Sequence, residues 1–168
     1  MKGRSLHLLL GGLSMSGVAL VIALFSAWPS WRTLPEDTAL LRLSFTHGGD
    51  RSASCRDRTP EELAELPPNM RRKQVCDRRR PPVYVELEID GALVFAEALP
   101  PRGIAGSGPS QVYERFLLPA GRHDIAVRLR DRPTSEGFNY AAQARVMLAP
   151  AESFVIDFRP EAGGFVFQ

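Results

Sequence analysis

The segment VYVELEIDGALVFA, residues 83–96, decides the fold class of this chain. Its first half alternates apolar and polar side chains, a period of two that is typical of a β-strand with one buried face. The Asp90-Gly91 pair that follows favours a two-residue type I′ hairpin, because both central positions of that turn need a positive φ. The turn predicts three facing pairs with their side chains on one face: Ile89 with Ala92, Leu87 with Val94, and Val85 with Ala96.

The same alternation recurs on both sides of this hairpin. Apolar side chains occupy alternate positions in segments that are separated by turn signals, and no long amphipathic helix lies between them. These segments are residues 41–46, 111–118, 122–130, 138–148, 154–158 and, as a short last piece, 165–167. Seven or eight such strands predict an all-β chain with a single antiparallel β-sandwich.

Residues 47–82 break the alternation, and we call them the insertion. They are too many for a hairpin loop and too polar for a core. One short helix is expected inside them, because Thr59 can cap it, Pro60 suits its first position and Glu62 completes a capping box. The rest of the segment has no regular period. Its end is strongly basic and contains six cations, the insertion cations: Arg71, Arg72, Lys73, Arg78, Arg79 and Arg80.

The insertion cations allow two interpretations. They could contact anionic lipid headgroups or an acidic protein face. Alternatively, they could form a solvated loop whose charges are paired with nearby carboxylates: Glu61, Glu62, Glu65 and Asp77.

An uncharged apolar run, LHLLLGGLSMSGVALVIALFSAW, covers residues 6–28. As a helix it would be about 34 Å long, enough to cross a hydrocarbon core of about 30 Å. Lys2 and Arg4 precede it, so the positive-inside rule predicts a cytoplasmic N-terminus and an exported C-terminal domain. We therefore expect residues 1–32 to form a cytoplasmic tip and one transmembrane helix, residues 33–40 a tether, and residues 41–168 a periplasmic domain at a bacterial inner membrane.

Two further features bear on this anchor. Trp28 and Trp31 lie where an interfacial aromatic belt would be. A cleaved secretory signal is the alternative, but a cut after Ala27 would place Phe25 where such signals need a small residue. Small residues recur along the run at a spacing that either provides a face for packing against another helix or reflects ordinary composition. They are Gly12, Ser16, Ala19, Ala23 and Ala27.

The chain contains two cysteines, Cys55 and Cys76, both on the side expected to be exported. In an oxidising compartment such a pair usually forms a disulfide. A soft metal site built from His47, Cys55 and Cys76 is the alternative, although the spacing fits no common metal-binding motif.

Composition and motifs exclude several functions. Residues 33–168 carry 18 Lys and Arg against 19 Asp and Glu, so the domain is not basic and nucleic acid is not an expected partner. Neither His47 nor His123 belongs to a catalytic motif, and we expect His123 to be a structural, hydrogen-bonded residue. No cofactor is implied. The sequence predicts a non-enzymatic accessory or assembly subunit of a membrane complex, with a periplasmic ligand- or metal-binding module as the alternative.

Several features after residue 83 resemble PEGA-type domains, which are small β-sandwich modules of bacterial cell envelopes with a transthyretin-like or prealbumin-like topology. The resemblance covers residues 83–158 and leaves the insertion without a counterpart. It implies a non-enzymatic binding or spacer module. The residues that carry it are Asp90 and Gly91 in the hairpin, Leu118-Pro119-Ala120-Gly121 followed by His123 and Ile125, and then Tyr140, Val146, Leu148 and Pro150.

Overall fold

The structure is a computed structural model that describes residues 2–27 and 34–168. The chain forms two compact units, the first ending at Pro35 and the second running from Glu36 to Gln168. The described part of the first unit contains the helix α1 (Lys2–Ala27). In the part of the chain that the structure describes, no helix combines the length and the apolar character needed to cross a membrane.

The predicted anchor is described only in part. Its far end, with Trp28 and the neighbouring Trp31, lies outside the described residues. The small residues at positions 12, 16, 19 and 23 lie on α1 and are exposed, and their packing against another helix stays a prediction. These four are Gly12, Ser16, Ala19 and Ala23.

The second unit consists mostly of β-strands, which confirms the predicted all-β class. A short helix, α2 (Pro60–Glu65), lies in the insertion, and Thr59 and Glu62 form the predicted capping box at its start. The strands of the described residues are β1 (Thr38–His47), β2 (Cys55–Asp57), β3 (Gln74–Cys76), β4 (Val83–Ile89), β5 (Ala92–Leu99), β6 (Ser110–Pro119), β7 (Gly121–Arg130), β8 (Tyr140–Leu148), β9 (Ser153–Arg159) and β10 (Gly164–Phe167).

Eight of these strands form two four-stranded sheets in the described part of the chain. Their orders are β10-β9-β1-β6 and β5-β4-β7-β8. Neighbouring strands are antiparallel except for β1 and β9, which run parallel with Leu40 opposite Ser153 and Leu43 opposite Ile156. The prediction of a purely antiparallel arrangement is therefore wrong at this pair, because no local turn constrains the relative direction of two strands so distant in sequence.

Side chains from both sheets form one buried apolar cluster. Leu41 and Leu43 of β1 and Val85 and Leu87 of β4 have no exposed surface. Arg42 and Ser44 occupy the intervening positions of β1 and remain partly exposed, as the alternation predicts. The two sheets therefore share a core in a sandwich-like arrangement.

The hairpin of β4 and β5 contains the predicted turn, with φ of 53° at Asp90 and 80° at Gly91. Ile89 pairs with Ala92 as expected, but a β-bulge shifts the register between Leu87 and Glu88. The predicted pairs beyond the bulge are wrong, since Leu87 faces Phe95 and Val85 faces Glu97. The extra residue allows the Phe95 ring to pack against the core, while Val94 stays exposed.

Candidate interaction surface

The two ends of the insertion meet where β1 ends and β4 begins. A Cβ atom on Gly49 would overlap the carbonyl oxygen of Pro81, so glycine is needed for this close approach. The Arg80 Nη1 donates a hydrogen bond to the carbonyl oxygen of Gly49 over 3.0 Å. The backbone N–H of Asp50 donates to the carbonyl oxygen of Asp131 over 3.0 Å. The base of the insertion is therefore fixed both to itself and to the end of β7.

A disulfide holds the middle of the insertion together. β2 and β3 pair as a two-stranded ribbon in which Cys55 lies directly opposite Cys76, and the two sulfurs are bonded. This confirms the predicted disulfide. It leaves neither sulfur free to be a ligand of the alternative metal site, and the third proposed ligand, His47, pairs with Asp131 through its Nε2 over 2.8 Å.

Three insertion cations lie just before β3. Arg71, Arg72 and Lys73 are exposed. Hydrogen bonds from arginine side chains to backbone carbonyl groups hold their segment. The Arg71 Nε donates to the carbonyl oxygen of Leu66 over 2.9 Å. The carbonyl oxygen of Arg72 also accepts a hydrogen bond from the Arg58 Nη1 over 3.0 Å. The backbone that carries these charges is therefore held in place, while the side chains are exposed to solvent.

The other three insertion cations follow β3 and are not equivalent. Arg78 and Arg79 are exposed, whereas Arg80 is half-buried. Besides its bond to Gly49, Arg80 donates through Nε to the carbonyl oxygen of Ser107 over 3.2 Å. Arg80 therefore joins segments of the domain, and five of the six predicted contact residues remain available on the surface.

The nearby carboxylates do not neutralise these five charges. Among the ion pairs of the described residues, none includes an insertion cation. Glu62 pairs instead with Arg56 over 2.7 Å, and the hydrogen bond from Arg56 lowers the pKa of Glu62 to about 2. Asp77 accepts a hydrogen bond from the backbone N–H of Arg79. The five cations are exposed to solvent, as the solvated-loop interpretation predicts, but they do not form the ion pairs that it also predicts.

His123 is hydrogen-bonded through both ring nitrogens, which confirms its expected structural role. Its Nδ1 lies 2.7 Å from the Asp90 Oδ2, and its Nε2 lies 2.9 Å from the carbonyl oxygen of Pro119. Both partners are acceptors, so the protonated ring satisfies them best. The Asp90 bond, followed by the Pro119 bond, raises the pKa of His123. The Asp124 N–H, followed by the His123 bond, lowers the pKa of Asp90.

We expect the stability of the domain to decrease as the pH rises through the raised pKa of His123. A group whose pKa is raised by folding contributes fully below its unfolded pKa, about 6.5 for histidine, and that contribution is lost above its folded pKa. Asp90 has the opposite sign, so its contribution is present above about pH 4 and decreases as the pH falls through the lowered pKa. The urea unfolding midpoint should be measured from about pH 4 to a pH above the raised pKa of His123. It should decrease at alkaline pH in the wild type but not in His123→Gln. Equal decreases in both proteins would contradict the contribution assigned to His123.

Sequence reasoning missed the contact between the insertion and the loop of residues 100–110. β-strands are absent from residues 100–109 of this loop. Its backbone is nevertheless hydrogen-bonded to the insertion, because the N–H of Arg80 donates to the carbonyl oxygen of Gly106 over 2.8 Å. No spacing or periodicity in the sequence indicates this contact.

No protein-family model matches the chain, and no curated protein sequence is significantly similar to it. The fold and the surface described above therefore carry the functional argument.

Proposed function

We propose that this chain is a non-enzymatic, membrane-anchored interaction module and that it serves as an accessory or assembly subunit of a membrane complex. The observation that carries the proposal is a set of exposed cations without carboxylate partners in the described residues: Arg71, Arg72, Lys73, Arg78 and Arg79. They lie on a segment held by a disulfide and by backbone hydrogen bonds. Binding through positioned side chains loses less conformational entropy than binding through a flexible loop.

Support for the anchor comes from the sequence. Residues 6–28 contain no formal charge; Lys2 and Arg4 precede the run, and Arg32, which follows it, is soon offset by Glu36 and Asp37. In this proposal the apolar run of residues 6–28 crosses the inner membrane and leaves the domain in the periplasm. The disulfide agrees with an oxidising compartment. The PEGA-like features of residues 83–158 agree with a binding or spacer role in the cell envelope.

The proposed partner is a membrane or envelope protein with an acidic face. Complementary charge guides association and fixes orientation, and removal of charges at the edge of an interface weakens binding. Charge reversal of two adjacent cations, Arg71→Glu with Arg72→Glu, should weaken the complex about tenfold or more, which corresponds to at least about 1.4 kcal/mol.

The test is purification of the full-length protein in mild detergent, followed by quantitative mass spectrometry. A partner in near-stoichiometric amount should be recovered with the wild type and strongly reduced with the Arg71→Glu, Arg72→Glu variant. A matched control, Arg115→Glu with Arg122→Glu, changes the same charge at exposed positions on β6 and β7. Equal recovery with both variants, or a wild type without a stoichiometric partner, would refute the proposal.

A further inference from the structure

The loop of residues 100–110 presents a large apolar side chain at the surface. Ile104 is fully exposed. Backbone hydrogen bonds close the loop beneath it: the N–H of Gly108 donates to the carbonyl oxygen of Arg102 over 2.8 Å, and the N–H of Gly106 donates to that of Gly103 over 3.0 Å. The turn thus holds Ile104 outward, in contact with solvent.

The loop is joined to the basic end of the insertion. Arg80 donates to two of its carbonyl oxygens, at Gly106 and Ser107. The stem of Arg79 lies against Gly106, where an added Cβ would be 3.4 Å from the Arg79 Cγ. The position of Ile104 is therefore coupled to the position of the cation on Arg79.

Exposed arginines occupy neighbouring positions of the loop and of the insertion, and Arg79 lies beside the exposed isoleucine. Arg79 and Ile104 line one groove of about 400 Å³ together with Pro100 and Pro101. Arg102 lies two residues before Ile104 in the same loop and lines a neighbouring groove with Gln111 and Tyr113; both it and Arg78 are exposed. In the described residues, none of these three arginines pairs with a carboxylate. We call this set, Arg78, Arg79, Arg102 and Ile104, the loop patch.

We propose that the loop patch contacts the surface of an anionic lipid bilayer, with Ile104 entering the headgroup region and the three arginines lying among the phosphates. The proposal rests on the membrane location given above, and it assigns Arg78 and Arg79 to the lipid, so that Arg71, Arg72 and Lys73 remain for the acidic protein face. The combination of an apolar tip and cations fits a charged interface, where apolar burial and electrostatic attraction act together. A protein partner would need a pocket for Ile104, whereas a bilayer accommodates a projecting side chain without one.

The membrane would then have a second contact with the domain besides the anchor. Since the loop is already closed by its own hydrogen bonds, little ordering is required on contact. The contact should depend on anionic lipid and weaken at high salt, because exposed charges are screened over about 8 Å at physiological ionic strength.

The experiment uses the full-length protein in lipid nanodiscs of two compositions. One contains phosphatidylcholine alone, and the other contains phosphatidylcholine with one third phosphatidylglycerol. Ile104→Trp reports the environment of the tip by its fluorescence emission, after subtraction of the wild-type signal from Trp28 and Trp31. Leu117→Trp is the matched control, because Leu117 is also an exposed apolar residue but lies on β6, away from the loop patch.

The expected result is a blue shift of the Ile104→Trp emission, with about twofold protection from iodide, in the anionic nanodiscs only. Addition of Arg79→Glu and Arg102→Glu should abolish both changes, and Leu117→Trp should show neither. No difference between the two lipids would overturn the inference. It would also be overturned if the shift required a co-purifying protein, since the loop patch would then be a protein contact.

Co-elution of the chain with the nanodiscs separates this inference from the proposed function. If the chain co-elutes but Ile104→Trp does not respond to anionic lipid, the anchor stands and the lipid contact of the loop patch is refuted. If the chain elutes apart from both kinds of nanodisc, the proposed anchor is refuted, and the inference that depends on it is refuted as well.

Discussion

Leu87→Ala is expected to lower the free energy of unfolding by about 2–5 kcal/mol, the range for a buried leucine replaced by alanine. Leu87 has no exposed surface. It lies on β4, which is bordered by β5 on one side and β7 on the other. Its side chain belongs to the cluster shared by the two sheets. The lost methyl groups would leave a cavity that strands paired on both edges cannot collapse to fill.

The measurement is urea unfolding of the full-length protein, followed by circular dichroism at a wavelength dominated by β-structure. Leu93→Ala is the matched control, because it removes the same atoms from β5, where Leu93 is 57% exposed. We expect the control to change the free energy of unfolding by no more than about 0.5 kcal/mol. Similar losses from both substitutions would show that the two sheets do not share the core described above.

In the hairpin of β4 and β5, the sequence predicts the buried face of the first strand but not that of the second. The alternation in β4 identified its buried face correctly, because each apolar residue there is separated by a polar one. In β5, however, Leu93, Val94 and Phe95 are consecutive apolar residues, so the alternation does not indicate which of them faces the core. The bulge next to Leu93 resolves this in favour of Phe95, and it depends on packing between sheets that a local pattern does not contain.

Pairing between distant strands was equally inaccessible. The hairpin turn at Asp90 and Gly91 has a local signal, since it needs two residues with positive φ. The parallel pairing of β1 and β9 has none, because the insertion and all four strands of the other sheet lie between these two strands in the sequence. Strand positions could thus be predicted from periodicity, and sheet order could not.

At the candidate surface, too, some features could be predicted from the sequence and others could not. Composition alone predicted the cations and the disulfide, because residue types are visible in the sequence. The different role of Arg80 depends on its distance to Ser107, a residue 27 positions away. The sequence likewise gave no reason to place Ile104 beside Arg79. Contacts of this kind arise from the fold, and they divide one basic segment into a structural arginine and an exposed surface.

Replacement of both cysteines, Cys55→Ser with Cys76→Ser, is expected to destabilise the insertion by about 3 kcal/mol. The disulfide closes a loop with a sequence separation of 21, and the chain-entropy model assigns about this value to such a loop. Besides the disulfide, residues 51–78 are held by exposed hydrogen bonds and by the three residue pairs of β2 and β3, and none of these residues is buried. The two large sheets keep their own core. The loss should therefore appear mainly as local opening of the insertion.

Hydrogen exchange measured by mass spectrometry distinguishes local opening from global destabilisation. In the double variant, peptides from residues 51–78 should exchange much faster, while peptides from β4 and β7 should keep nearly wild-type protection. Equal acceleration in all of them would contradict the local character of the effect. The variant keeps every insertion cation but no longer fixes their positions, so partner recovery should also decrease, because ordering these side chains on binding would then cost more conformational entropy. Unchanged recovery would show that the charges act without the disulfide.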